Sequence, residues 1–345
     1  MDEKKYTLDD IETLRSKTGV GYEEAVALLE KYDGDIARAL VELDKRVLEA
    51  QFALPTEGET EQERRKNMEA ELAQIAALYD EHAKPIPVVP EVLSLADAMK
   101  DAPEKFRQPY EMVVGMDYSS VEYVTLKLDE LSTFVISGRP KSGKHTAVKN
   151  ILRQIQANVF IHLSEAIIFD GPRRSLSAMK TLGCVKSYIT DTSEMKEAVD
   201  ALWQEMSERQ DALFALEEDD ERMELTRSWP LKLLVINSEG PIKLCMGDSE
   251  CQSKLYDVVA RFNDCKCCVI WCEYPNAKAS ILSSNELERY IQTQGNFLYF
   301  DYLNNLKLAE VSLQNQRMLN RPYLLGDAYL RLNEQYQHIK TMLTE

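Results

Sequence analysis

The residues best suited to chemistry lie in one stretch, Phe134-Val-Ile-Ser-Gly138-Arg139-Pro140-Lys141-Ser142-Gly143-Lys144-His145-Thr146. Gly138 and Gly143 stand five apart, with Lys144 directly after the second. Glycines at that spacing let backbone N–H groups curl around an anion, and the lysine adds a positive point charge, which is the chemistry of holding a nucleotide's phosphates. Residues 138–146 are therefore the expected binding loop for ATP or ADP. Hydrolysis asks for one group more, a Ser or Thr hydroxyl after the lysine to reach Mg²⁺. His145 occupies that place, its imidazole cannot make the hydroxyl's contact, and Thr146 comes one residue too late. Mg²⁺ binding is expected to be weak or absent.

No second set of catalytic or metal-binding residues stands out. Four of the seven cysteines crowd into Cys265-Lys-Cys267-Cys268-Val-Ile-Trp-Cys272, a β-branched and aromatic run without the turn a zinc pair needs, so reduced thiols buried in a strand are expected. His82, His145, His162 and His338 are scattered and show no ligand spacing.

A loop of this kind must be held between a strand and a helix, and the flanking pattern supplies both: an apolar run at residues 133–136 and a helix over 143–156. Further strands are expected at residues 123–128, 166–170, 185–189, 231–236 and 267–271, the last two continuous apolar runs as in strands covered on both faces. Met195, Ala198, Val199, Leu202 and Met206 mark the stripe of a long helix, and the acidic run 217–221 a solvated helix end or loop. Strands alternating with helices behind a phosphate loop predict a P-loop α/β domain on a parallel sheet, over residues 91–345.

Residues 1–47 read as a small three-helix domain. Thr7 with Asp10 forms a capping box, Leu8, Ile11 and Leu14 line the first helix, Ala25, Leu28 and Leu29 the second, and Ile36, Ala39, Leu40 and Leu43 the third. Residues 48–90 join the two parts: a linker with Pro55 and Gly58, a helix over 62–82 with Met68, Leu72, Ile75 and Leu78 or Tyr79 on a narrow stripe expected to pack on the following domain, and an extended run with Pro85, Pro87 and Pro90. The 345-residue chain has a net charge of −17, which opposes binding to a nucleic-acid backbone. No apolar window of about 18 residues offers a membrane span, and the charged Met1-Asp-Glu-Lys-Lys start is unlike a signal peptide, so a cytoplasmic protein is expected.

Two resemblances extend this reading. Leu14-Arg-Ser-Lys-Thr-Gly-Val-Gly-Tyr-Glu-Glu-Ala25 and Gly34-Asp-Ile-Ala-Arg-Ala-Leu40 resemble a ubiquitin-associated (UBA-like) three-helix domain, which implies a protein-docking module. Residues 64–345 resemble the FtsK/SpoIIIE family of ring-forming ATPases, and within it the C-terminal ATPase module of the type VII secretion ATPase. The match rests on the loop, on Ile86-Pro-Val-Val-Pro-Glu91, on Val114-Gly-Met-Asp117 ahead of Val124-Thr-Leu-Lys-Leu128, on Asp170-Gly-Pro-Arg-Arg-Ser-Leu-Ser177, and on a closing hairpin at residues 326–331 and 335–339. Active members of that family carry an Asp, then a Glu, after the strand that here is Leu233-Leu-Val-Ile236; this chain has Asn237 and Ser238. Neither can supply the metal-organising charge or the base. Glu239 is a weak catalytic candidate, since a shift of one residue along a strand turns a side chain to the other face.

The resemblance implies a degenerate module that binds nucleotide and receives the C-terminal signal of small helical secreted proteins, or neighbouring ATPase modules, at the cytoplasmic face of a membrane secretion complex, with an oligomeric ring as a further implication. Loops beyond the strands, residues 170–176 and 237–244, are the expected walls for such a signal. Three readings stay open: a catalytically disabled module of protein export, an active ATPase that recruits Glu239 and Thr146, and an adaptor acting through its UBA-like domain.

Overall fold

A computed structural model describes residues 6–18, 22–36, 38–40, 60–77, 88–158, 160–278, 285–318 and 322–343. Outside them fall the expected turn at residues 19–21, the third N-terminal helix beyond residue 40, the linker at 48–59, the end of the following helix beyond residue 77 and the Pro85 and Pro87 positions. The chain divides into two compact units, Met1–Ile86 and Pro87–Glu345.

In the first unit the capping box is formed: Thr7 N donates to Asp10 Oδ2 at 2.7 Å and Asp10 N to Thr7 Oγ1 at 3.3 Å, starting the helix Leu8–Thr18. The helix Tyr22–Lys31 follows, and Gly34, at φ 86°, reverses the chain where a side chain would be strained. Asp35 then accepts from Arg38 N at 3.1 Å and caps the next helical residues. Ile11, Leu14, Ala25, Leu28, Leu29 and Ala39 close one small core. In the helix Glu61–Ala77 the expected packing stripe is exposed at Met68 and Leu72.

The second unit is built on one ten-stranded sheet of β1 (Glu111–Asp117), β2 (Tyr123–Lys127), β3 (Thr133–Gly138), β4 (Ser164–Phe169), β5 (Val185–Ile189), β6 (Leu231–Asn237), β7 (Cys267–Cys272), β8 (Phe297–Phe300), β9 (Asp327–Leu332) and β10 (Gln335–Thr341). Their order is β2-β1-β10-β9-β8-β3-β7-β6-β4-β5. From β8 to β5 all pairings are parallel, as the apolar runs predict, and the fold is that of a P-loop α/β domain. Beyond β8 the sheet becomes antiparallel, because β9 and β10 are joined by the two-residue turn Asn333-Glu334, both at positive φ, too short for a crossover helix.

Burial on both faces explains the run of β-branched and aromatic residues. Along β7, Cys267, Val269 and Trp271 enter the core on one face with the helix Thr192–Phe214, while Cys268, Ile270 and Cys272 enter the other with the helix Lys144–Ala157. All seven thiols are buried and unbridged, and burial pushes Cys267 up to about 12. The acidic run opens the helix Asp219–Ser228, placing Asp219, Asp220 and Glu221 in the first turn, where the helix dipole favours them.

Polar side chains fix the helix behind the phosphate loop. Gln154 exchanges two 2.8 Å hydrogen bonds with the backbone of Val113 in β1, and Asn150 donates to Met342 O at 2.8 Å just past β10. The antiparallel extension thus grips the helix along its length and brings residues 341–343 beside its first turn. Among the described residues no helix is long and apolar enough to cross a membrane.

Candidate nucleotide site

Parallel pairing sends the ends of β3, β7, β6 and β4 to one edge of the sheet, and the loop of residues 138–146 springs from β3 there. Its two glycines are required by geometry. Gly138 has φ 134°, and a Cβ on it would stand 2.5 Å from Phe300 O in β8; Gly143, at φ 112°, occupies the position before the helix Lys144–Ala157. No side chain caps that helix, so its first N–H groups are left for a ligand or solvent. Gly138→Ala is expected to destabilise the second unit by about 2–4 kcal/mol, since both the backbone angle and the contact with β8 must give way. Urea unfolding measures it; a loss below about 0.5 kcal/mol would show that the loop relaxes freely.

Lys144 is buried and spans the loop, its Nζ donating to Gly138 O at 3.0 Å and to Arg139 O. Burial lowers its pKa, and the carboxylate of Glu273 opposes that shift. Ser142 Oγ donates to Arg139 O at 2.8 Å. The Arg139 guanidinium forms an ion pair with Asp301 at 3.2 Å and lies over the Tyr323 ring at 4.4 Å, which fixes its backbone carbonyl for Lys144. Pro140 and Lys141 are exposed, Lys141 at φ 58°. A cleft of about 280 Å³ opens beside the loop, lined by residues 141–146, by Glu273, and by an apolar wall that includes Leu325, Met342 and Leu343.

His145 is half-buried in this cleft. Its Nε2 has no hydrogen-bond partner and lies 3.7 Å from Glu273 Oε1. Burial lowers the imidazole pKa, against the pull of Glu273. Glu273 was not singled out from sequence. It follows the apolar strand β7 at positive φ, and because β7 lies between β3 and β6 its carboxylate reaches the loop. The available signal was a charged residue immediately after a buried parallel strand, one place beyond the Cys272 that pairs with Asn237.

Asn237 ends β6, fully buried. Its Nδ2 donates to Asp170 Oδ1 at 2.7 Å, while its Oδ1 has no partner. Asp170, at the end of β4, also accepts from Gly171 N, Leu176 N and Tyr188 OH, each at 2.8 Å. This carboxylate is saturated by donors within the fold. Ser238 turns the chain at φ 78°, and Glu239 opens the helix Glu239–Gly247 with its side chain 77 % exposed, paired to Lys243 at 2.6 Å. That partner holds its pKa below the usual carboxylate value. Thr146 lines the cleft and Glu239 does not. In the loops proposed as ligand walls, Pro172, Arg173, Arg174, Gly240 and Lys243 are exposed, whereas Asp170, Leu176 and Asn237 are buried.

The residues present fit a polyphosphate: a cradle that only glycine can form, an uncapped helix start and a lysine at its centre. They do not fit a divalent cation held in the usual way, because an imidazole and a buried amide stand where a hydroxyl and a carboxylate are needed. Among the described residues no group of three His, Cys, Asp or Glu side chains could hold a metal ion.

Neither a protein-family profile nor a curated protein matches the sequence. Solved structures do share the fold. ATPases 2 and 3 of EssC from Geobacillus thermodenitrificans align with 17 % identity and a TM-score of 0.63, over 85 % of this chain and 52 % of that one. The cytoplasmic domain of EssC aligns with 19 % identity and a TM-score of 0.60, over 86 % and 56 %. ATPases 2 and 3 of Thermomonospora curvata EccC, in complex with a signal sequence peptide, align with 17 % identity and a TM-score of 0.57, over 84 % and 50 %. The chain spans about half the length of these structures. The chain therefore shares its α/β fold with the ATPase domains of EssC and EccC.

Proposed function

We propose that this chain is a degenerate P-loop module of a type VII-like protein secretion motor, one that holds ATP or ADP and turns it over little. The observation that carries this reading is the contrast within one site. The residues that would hold the phosphates are present, Gly138 and Gly143 at positive φ and Lys144 folded across the loop. The metal-organising parts are replaced by His145 and by an Asn237 amide committed to Asp170, and Glu239 is paired in solvent. Retained binding with lost turnover is what such a division of residues supports. The N-terminal helices serve as a UBA-like docking module, and the C-terminal signal of a secreted protein, or a neighbouring ATPase module, is the partner of the α/β unit at the cytoplasmic face of the membrane complex. The EccC relative, whose structure holds a signal sequence peptide, supports that partner.

Thermal unfolding with millimolar ATP or ADP tests the reading. Ligand at about a hundred times its Kd adds about 2.7 kcal/mol, so a rise of several degrees in Tm is expected, with little dependence on Mg²⁺ and none left in Lys144→Ala. Equal melting temperatures with and without nucleotide would remove the binding claim. Steady phosphate release that disappears in Lys144→Ala would instead establish an active ATPase.

A further inference from the structure

We propose that His145 takes up a proton when a nucleoside di- or triphosphate enters the cleft, its imidazolium supplying the positive charge that a divalent cation would otherwise bring. The inference rests on the nucleotide-binding reading above and deepens it.

A polyphosphate adds about three or four negative charges at neutral pH to a cleft that already contains the Glu273 carboxylate. Lys144 is the buried cation at the centre of the loop, and its burial leaves its field little screened by salt. His145 lies within the same cleft, 3.7 Å from Glu273, with Nε2 out of contact with solvent and without a hydrogen bond. An imidazole in that position carries an unused site for a proton, close to where negative charge accumulates.

The groups that face it come from three elements: Glu273 after β7, Asp170 at the end of β4, and Lys144 and Lys149 on its own helix. Without ligand, burial and the two lysines outweigh the two carboxylates and keep the ring neutral at pH 7. Phosphate oxygens arriving at the helix start add to the carboxylate side of that balance. The folded, liganded protein then binds more protons than the free one, so affinity must rise as pH falls through the neutral range.

The sign separates protein from ligand. A terminal phosphate has its second pKa at about 6, and a cationic loop can only drive its remaining proton off. Net uptake at pH 7.5 must therefore come from the protein.

Isothermal titration of the full chain with ADP, in EDTA at pH 7.5 and in buffers of different ionisation enthalpy, counts that proton. About half a proton or more is expected to be taken up per ADP bound, with affinity falling by up to about tenfold per pH unit between pH 7 and 8. His145→Gln keeps a polar group of similar reach and should bind ADP more weakly with no proton uptake. Glu273→Gln removes the opposing carboxylate and should bind ADP more tightly with a smaller uptake. Binding by the native chain with no dependence on buffer, or uptake unchanged in His145→Gln, overturns the inference while leaving the nucleotide site in place. Absence of any ADP binding, by heat and by melting temperature alike, takes down the nucleotide reading and this inference together.

Discussion

Asp170→Ala is expected to lower the stability of the α/β unit by about 3–5 kcal/mol. The carboxylate is 1 % exposed and accepts four hydrogen bonds, two on each oxygen: Gly171 N and the Asn237 amide on Oδ1, Leu176 N and the Tyr188 hydroxyl on Oδ2. Truncation leaves donors from four residues without an acceptor, and three of those hydrogen bonds are buried. The cost is that of desolvated groups left unpaired, not of one lost contact. In a unit of this size the loss corresponds to a fall in Tm of about 8–15 °C. Tyr188→Phe, which removes a single partly exposed donor, should cost about 1 kcal/mol and provides the scale. Urea unfolding of both variants decides the matter, and a loss in Asp170→Ala no larger than that of Tyr188→Phe would mean that solvent replaces the carboxylate.

The parts of this architecture that depend on local pattern were readable in the chain. Continuous apolar runs give β6 and β7 because a strand covered on both faces can carry no polar alternation, and Gly138, Gly143 and Lys144 announce the loop because few other residues satisfy its backbone. What was not readable depends on which strands are neighbours. Glu273 enters the site only because β7 is inserted between β3 and β6, a fact of sheet order that spacing along the chain does not carry. The same holds for Asp170, whose place beside Asn237 follows from the pairing of β4 with β6. Glu239 is turned away from the cleft for a different reason than strand alternation: Ser238, at positive φ, follows the strand, and Glu239 begins a helix on which it pairs with Lys243.

The pairing of Asn237 with Asp170 changes what restoring the missing acid would do. Asn237→Asp, the substitution that resemblance to active ATPases suggests, replaces the donating Nδ2 with an oxygen 2.7 Å from Asp170 Oδ1. Two buried carboxylates at that separation cannot both be ionised, so the introduced carboxyl is expected to remain protonated at neutral pH, donating to Asp170 in place of the amide. Holding that proton against a solvent at pH 7 costs about 2–4 kcal/mol of stability. The sign follows from proton counting: the folded variant binds a proton that the unfolded chain releases near pH 4, so the deficit relative to the native chain grows as pH rises and shrinks as pH falls toward 4. Unfolding free energies of both chains at pH 5 and pH 8 measure it. A deficit that is the same at both values would show that the two groups have moved apart and ionised independently. Asp170→Asn in the Asn237→Asp background returns a donor to the pair and removes one charge, so it should cancel the pH dependence while recovering only part of the stability, because one backbone N–H, of Gly171 or Leu176, then loses its acceptor. An acid at position 237 is thus tolerated better when position 170 changes with it, because the Asn237 amide and the Asp170 carboxylate act as one pair at the sheet edge.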